Sequence, residues 1–236
     1  MTNERHVRLG SLALAATTIA LLLQIGCGSC PGPPAEVPPA PEPATEPEPP
    51  APEPPAPAKV PMLRPEGWDP IAFNRDRGNA GAIPESYHGD INGADGEAEH
   101  LGKHLPYIPD TTGLEVPMGY LALMWGDPAH GYAKHPNAPE GAEAYPRGHW
   151  YDWVKIRKAT DGDAEEVETR FSGWPATGAG DSGRYLVAGG GAIEDDGGKN
   201  TIYLVELPAD VKPGDTIRVW AHCLYHGEYV DFIAIP

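Results

Sequence analysis

From residue 99 to the C-terminus the chain is a succession of short runs in which apolar and polar positions alternate, interrupted by Gly and Pro. Seven runs carry this pattern: Tyr120 to Trp125, Trp150 to Ile156, Val167 to Phe171, Arg184 to Ala188, Thr201 to Leu207, Thr216 to Cys223 and Tyr229 to Ile235. A period of two sends successive side chains to opposite faces, so one face of each run meets a core and the other meets solvent. No long run repeats every 3.6 residues. Val211-Lys212-Pro213-Gly214-Asp215 is a turn sequence ahead of the penultimate run. About seven short antiparallel strands with turn signals between them predict an all-β sandwich.

The alternation also orients particular residues. In Thr216 to Cys223, the residues Ile217, Val219, Ala221 and Cys223 share the inward face, while Arg218, Trp220 and His222 share the other. Cys223 is therefore expected inside, at a strand end, and His222 away from it. Trp150, Tyr151 and Trp153 are expected to alternate, one set in the core and the other against the edge that carries the chemistry. Residues 64 to 98 hold Gly, Asn and Asp without periodicity and are expected to form an irregular extension.

Upstream, the pattern changes twice. Arg5 and Arg8 precede an apolar run from Leu9 to Ile25, the shape of a secretory signal peptide over residues 1 to 26. The run is too short for a comfortable membrane span. It ends in Leu23-Gln24-Ile25-Gly26-Cys27, which resembles a bacterial lipoprotein box and makes Cys27 the expected lipidation site. Cys30 is a second candidate acceptor, and ordinary cleavage to a soluble exported protein is the alternative. Residues 27 to 63 are Pro, Ala and Glu in the main, with fifteen prolines between Pro31 and Pro61. Such a segment cannot bury a core and extends about 3 Å per residue as a stiff tether. The expected location is the bacterial envelope, facing the periplasm from a lipid anchor, with the outer membrane favoured.

Charge then narrows the partners. The formal charge of −17 argues against nucleic acid and against an anionic membrane surface. An anionic substrate would need a local positive group to overcome that field. The sequence leaves the oligomeric state open, a homo-oligomer included.

The three cysteines are Cys27, Cys30 and Cys223. With Cys27 lipidated, Cys223 stands alone in the folded part, in a compartment that favours disulfides. It is either an inert small hydrophobe or a metal ligand. Three local patterns bear on the choice: Lys103-His104-Leu105-Pro106, then His135-Pro136 followed by His149-Trp150-Tyr151-Asp152-Trp153, and last Cys223-Leu224-Tyr225-His226-Gly227. In the last, a Cys and a His with two residues between them at a strand end can face one metal.

In this order the three patterns resemble the desulfoferrodoxin and superoxide reductase family, over residues 99 to 236. The resemblance implies an immunoglobulin-like β-sandwich and one non-haem iron. It implies His104, His135, His149 and His226 as four equatorial ligands and Cys223 as the axial thiolate. It further implies that superoxide is reduced to hydrogen peroxide at the remaining position, with Lys103 drawing in the anion and electrons arriving from an external donor. A solvated surface lysine is the alternative for Lys103.

The chain departs from the family pattern at several positions. Gly102 stands where the family has Glu before the Lys, Leu224 replaces the Asn after the Cys, and Tyr229 stands in for a Trp after His-Gly. An insert over residues 137 to 148 separates His135 from His149, and His130 is the fallback ligand if the loop threads differently. His6, His88, His100 and His222 are expected to be ordinary non-ligand histidines. Two rival functions share the sandwich: a non-catalytic binding module on a lipid anchor, and a blue-copper electron carrier. The second lacks the usual Met, since none follows Met124.

Overall fold

A computed structural model of the chain describes residues 58 to 77 and 97 to 236. The signal peptide, Cys27, Cys30, most of the tether, His6 and His88 lie outside the described residues. None of the described helices is long and apolar enough to cross a membrane.

Among the described residues, eight strands form two four-stranded antiparallel sheets. They are β1 (Pro106–Tyr107), β2 (Tyr120–Trp125), β3 (Tyr151–Lys158), β4 (Glu166–Arg170), β5 (Arg184–Val187), β6 (Thr201–Glu206), β7 (Thr216–Cys223) and β8 (Gly227–Ala234). One sheet has the order β1-β2-β6-β5 and the other β4-β3-β7-β8. With the strands lettered along the chain and β4 as an added C′, this is A-B-E-D against C′-C-F-G, the immunoglobulin arrangement. All seven runs expected from alternation are strands, and the two-residue β1 is the addition.

The core lies between the sheets. Leu121, Leu123 and Trp125 of β2 and Tyr203 and Val205 of β6 face Val154 and Ile156 of β3 and Ile217, Val219 and Ala221 of β7. Full burial of an aliphatic side chain of this kind contributes about 1.5–3 kcal/mol. A second cluster, Ala122, Met124, Ile202 and Leu204, lies on the outer face of the first sheet under Tyr107, Leu114 and Val116. This covering explains why β2 is buried at nearly every position.

Strand β3 departs from simple alternation. Tyr151 pairs with Cys223 but Trp153 pairs with His222, so Asp152 is bulged out of register. A bulge of one residue changes which side chains share a face. Tyr151 is thereby fully buried, as is Val154 three positions on, while Trp153 turns outward and stacks on His222 at 5.6 Å. Trp150 is buried too, its Nε1–H donating to Phe171 O at 3.1 Å. Both Trp150 and Tyr151 are thus interior, where strict alternation would have separated them.

Among the described residues, the stretch expected to be irregular holds a short helix, α1 (Pro70–Asp76), and a second, α2 (Glu97–Gly102), begins at its end. Asp69 caps α1, its carboxylate accepting from Ile71 N and Ala72 N, and Pro70 fits the first turn, where its missing N–H costs nothing. Asn74 ties α1 to β8 by a reciprocal pair with Val230, 2.8 Å in each direction. Residues 58 to 62 lie across the outer face of the second sheet. Arg77 Nη1 donates to Ala58 O at 2.9 Å and Arg218 Nη1 to Pro61 O at 3.2 Å. Arg218 faces outward, as alternation requires, yet is 2% exposed because this segment and Glu166 cover it.

Candidate metal centre

Five side chains from separate parts of the chain meet at one end of the sandwich. His104 follows α2, whose Leu101 is buried in the core, and its N–H donates to Leu101 O at 2.9 Å. His135 is anchored by its N–H to Trp125 O, at the end of β2, at 3.0 Å. His149 lies two residues before β3 and exchanges backbone bonds with Ala138 at 2.9 and 3.0 Å. Gly148, just before it, has φ +84°, and a Cβ there would lie 1.8 Å from the Trp150 ring, so only glycine fits. Cys223 ends β7 facing inward, and His226 closes the β7–β8 turn with its N–H on Cys223 O at 3.2 Å. All five are buried, between 0% and 3% exposed.

The donor atoms lie within 4.8 Å of one another. His226 Nδ1 is 2.9 Å from His104 Nε2 and 3.0 Å from His149 Nε2. Two imidazole nitrogens about 2.1 Å from one first-row metal, at right angles, stand about 3.0 Å apart. Ring separations give the order around the centre. Neighbours His104–His226, His226–His149, His149–His135 and His135–His104 lie at 4.8, 4.7, 4.2 and 4.9 Å, and the diagonal His104–His149 is 6.2 Å. Cys223 Sγ is 3.6 Å from His135 Nε2 and 3.8 Å from His226 Nδ1. These two nitrogens occupy opposite corners, and the sulfur approaches both.

Proton accounting shows that these residues fit a cation. The carbonyl His100 O, 2.7 Å from His104 Nδ1, can only accept, so Nδ1 carries the proton and Nε2 presents a lone pair. His226 Nδ1 faces two Nε2 atoms at hydrogen-bond distance, and one proton cannot serve both. Burial holds all four imidazoles well below the usual histidine pKa, and repulsion among the neighbouring histidines and Lys103 adds to the effect. They are neutral, the form that ligates metal. Burial pushes the Cys223 thiol up to about 12, partly offset by the amides of Tyr225 and His226 aimed at the sulfur and by Lys103.

Metal binding near neutral pH must therefore displace the thiol proton. Titrating the metal-free chain with Co²⁺ is expected to release about one proton per metal, and affinity should rise with pH between 6.5 and 8.5. Calorimetry in buffers of different ionisation enthalpy measures this number. A value near zero would mean that the sulfur is not a ligand.

Lys103 is half-buried, and its charge reaches all four imidazoles and the thiol. Gly102 is glycine because the Tyr132 ring lies against it: a Cβ would stand 2.1 Å from Tyr132 Cδ1. No carboxylate can project from this position while Tyr132 stays in place. His130, the fallback ligand, is exposed and bonded to Asp127 at 2.7 Å, outside the cluster. His222 bonds Asp152 at 2.6 Å on the outer sheet face, away from the sulfur.

Sequence reasoning missed several neighbours of the cluster. His100 lies on α2, not in coil, with its ring 5.0 Å from His104 and 4.8 Å from His226. Its helical spacing from Lys103 and His104 is the signal that could have found it. Tyr229 stacks on His104 at 4.3 Å and 7°, and Tyr145 on His149 at 4.2 Å and 21°. Tyr151 Oη donates to His104 O at 3.3 Å. No family model, curated protein or solved structure matches the chain at a significant level.

Proposed function

We propose that the domain binds one non-haem iron through His104, His135, His149, His226 and Cys223, and reduces superoxide to hydrogen peroxide. The observation that carries this reading is the buried group of four neutral imidazoles and one cysteine sulfur, whose donor atoms lie within 4.8 Å of one another. Five donors are one more than tetrahedral zinc takes, and they leave one position of an octahedron open. A mixed imidazole and thiolate set suits iron. Bound there, iron would supply the electron: superoxide, one electron and two protons give hydrogen peroxide.

The protein's own groups set the conditions. Lys103 supplies positive charge at the cluster in a chain of net charge −17, which focuses an anion locally despite the overall field. Tyr229 and Tyr145 fix two imidazole planes by stacking, and His104 is oriented by its bond to His100 O. Residue 102 offers no competing carboxylate, which leaves the open position to exogenous ligands. The five-residue group is the sole metal-ligating cluster among the described residues, so the electron must come from an external donor. On the same reading, lipidation at Cys27 and the Pro-rich tether would hold the domain off an envelope membrane.

Metal analysis of the full chain, purified anaerobically, is expected to give about one iron per chain. Stopped-flow mixing of the reduced protein with superoxide should then consume it without evolving dioxygen. Lys103→Ala is expected to keep the iron and slow the reaction by about tenfold, within the range of electrostatic steering. The wild-type rate should fall with added salt, and that of the variant less. Copper in place of iron would favour an electron carrier. An unchanged rate in Lys103→Ala would remove Lys103 from the mechanism.

A further inference from the structure

The insert between His135 and His149 is a compact hairpin with a defined contact surface. Its base is the Ala138–His149 bridge, and within it Gly141 N donates to Pro146 O at 3.0 Å, Tyr145 N to Ala142 O at 3.0 Å and Gly148 N to Tyr145 O at 2.8 Å. Two of its side chains reach the Cys-x-x-His turn. The Tyr145 ring stacks on His149 and meets Tyr225 edge-on at 5.2 Å. The Arg147 guanidinium lies 5.7 Å from the Tyr225 ring centroid. Tyr225 is one of the two inner residues of that turn, its ring edge-on to His226 at 5.0 Å, and its amide points at the Cys223 sulfur. The hairpin thus grips the turn that carries two of the five donors and the ring of a third.

We propose that this hairpin is a clasp over the sulfur side of the site, with Tyr145 and Arg147 as positioning residues that limit how fast metal leaves and how fast reagents reach Cys223. The inference rests on the metal-binding reading above but adds a role for residues outside the ligand set. Three contacts support it. Stacking holds the His149 plane, which a ligand must keep to retain its metal. The cation–π and edge contacts on Tyr225 tie the Cys223 and His226 ends of the turn together. Cys223 itself is 0% exposed, although it sits at the end of a strand, where a turn alone would shield it poorly.

The test uses the full chain loaded with Co²⁺, and separately the metal-free chain. Tyr145→Ala and Arg147→Ala are each expected to release Co²⁺ to excess EDTA at least tenfold faster than wild type, with Tyr145→Phe within twofold because the ring remains. In the metal-free chain, alkylation of Cys223 by iodoacetamide, followed by mass spectrometry of its own peptide, is expected to accelerate at least tenfold in Tyr145→Ala and little in Tyr145→Phe. Arg147 is exposed, so its replacement leaves the core intact. A chain that binds no Co²⁺ would overturn the metal reading, and the alkylation rates would still judge the clasp. Cys223 alkylation in Tyr145→Ala and Arg147→Ala at the wild-type rate would overturn the clasp, whatever the metal result.

Discussion

Replacing Cys223 by Ser is expected to abolish the sulfur-to-metal charge-transfer absorption of the loaded protein and to weaken metal binding by more than 100-fold. The reasoning starts from the sulfur's place in the cluster. Cys223 is fully buried, within 3.6 and 3.8 Å of nitrogens at opposite corners of the imidazole square, and receives the amides of Tyr225 and His226. Serine keeps the volume close and can still accept those amides. Its hydroxyl, however, ionises far less readily than a thiol and is a poor partner for a metal that tolerates soft donors. Losing an outer partner of a metal ligand typically costs 10–100-fold in affinity, and a ligand itself should cost more. Visible absorption of the iron- or cobalt-loaded chain, with competition against a chelator, reads both effects. An unaltered spectrum in Cys223→Ser would sink the axial-thiolate assignment. His130→Ala is the matched control, because His130 lies outside the cluster and should change neither quantity.

The strands and the five clustered side chains were legible because both are local or ordered signals. Alternation in Thr216 to Cys223 placed the cysteine inward and His222 outward, and β7 has that arrangement. Three short patterns, met in one order along the chain, pointed to the five side chains that the fold brings within 4.8 Å of one another. What escaped was set by contacts between distant residues. The bulge at Asp152 depends on how β3 pairs with β7, so the burial of both Trp150 and Tyr151 could not be read from β3 alone. The burial of Arg218 depends on a segment about 157 positions away in sequence. The absent side chain at Gly102 is explained by Tyr132, thirty residues on. Helix α1 did leave a local mark, Asp69-Pro70, but seven residues hold too few periods to show an apolar face. His100 was readable in principle and was lost with α2, whose short pattern ran into the Gly-rich stretch before it.

Acidification separates the metal-free chain from the loaded one by the widest margin expected of any single condition. In the folded, metal-free domain, burial keeps His104, His135, His149 and His226 neutral far below the pH at which a free histidine protonates. In the unfolded chain each takes up a proton near pH 6.5. The unfolded state therefore binds more protons below that pH, and stability falls as pH falls. Each histidine contributes about 1.4 kcal/mol per pH unit, so the four together contribute about 5.5 kcal/mol per unit. Asp231 acts in the opposite sense. Burial raises its carboxyl to about 6, and that cost is relieved as pH falls below 6. The net loss is about 4 kcal/mol per unit, against a total of roughly 5–15 kcal/mol for an ordinary domain. For a domain in the lower half of that range, unfolding of the metal-free chain is expected between about pH 5.5 and 4. Above pH 8.5 the buried Cys223 thiol adds a slower loss, about 1.4 kcal/mol per unit, because the unfolded thiol ionises first. Bound metal selects the folded state and adds stability that grows with its free concentration, so the acid midpoint of the loaded chain should move down and depend on metal. Tryptophan fluorescence and circular dichroism, followed from pH 8 to 4 with and without Co²⁺, measure the difference. A metal-free chain equally stable at pH 7 and pH 5 would show that the four imidazoles are not held neutral together in one buried site.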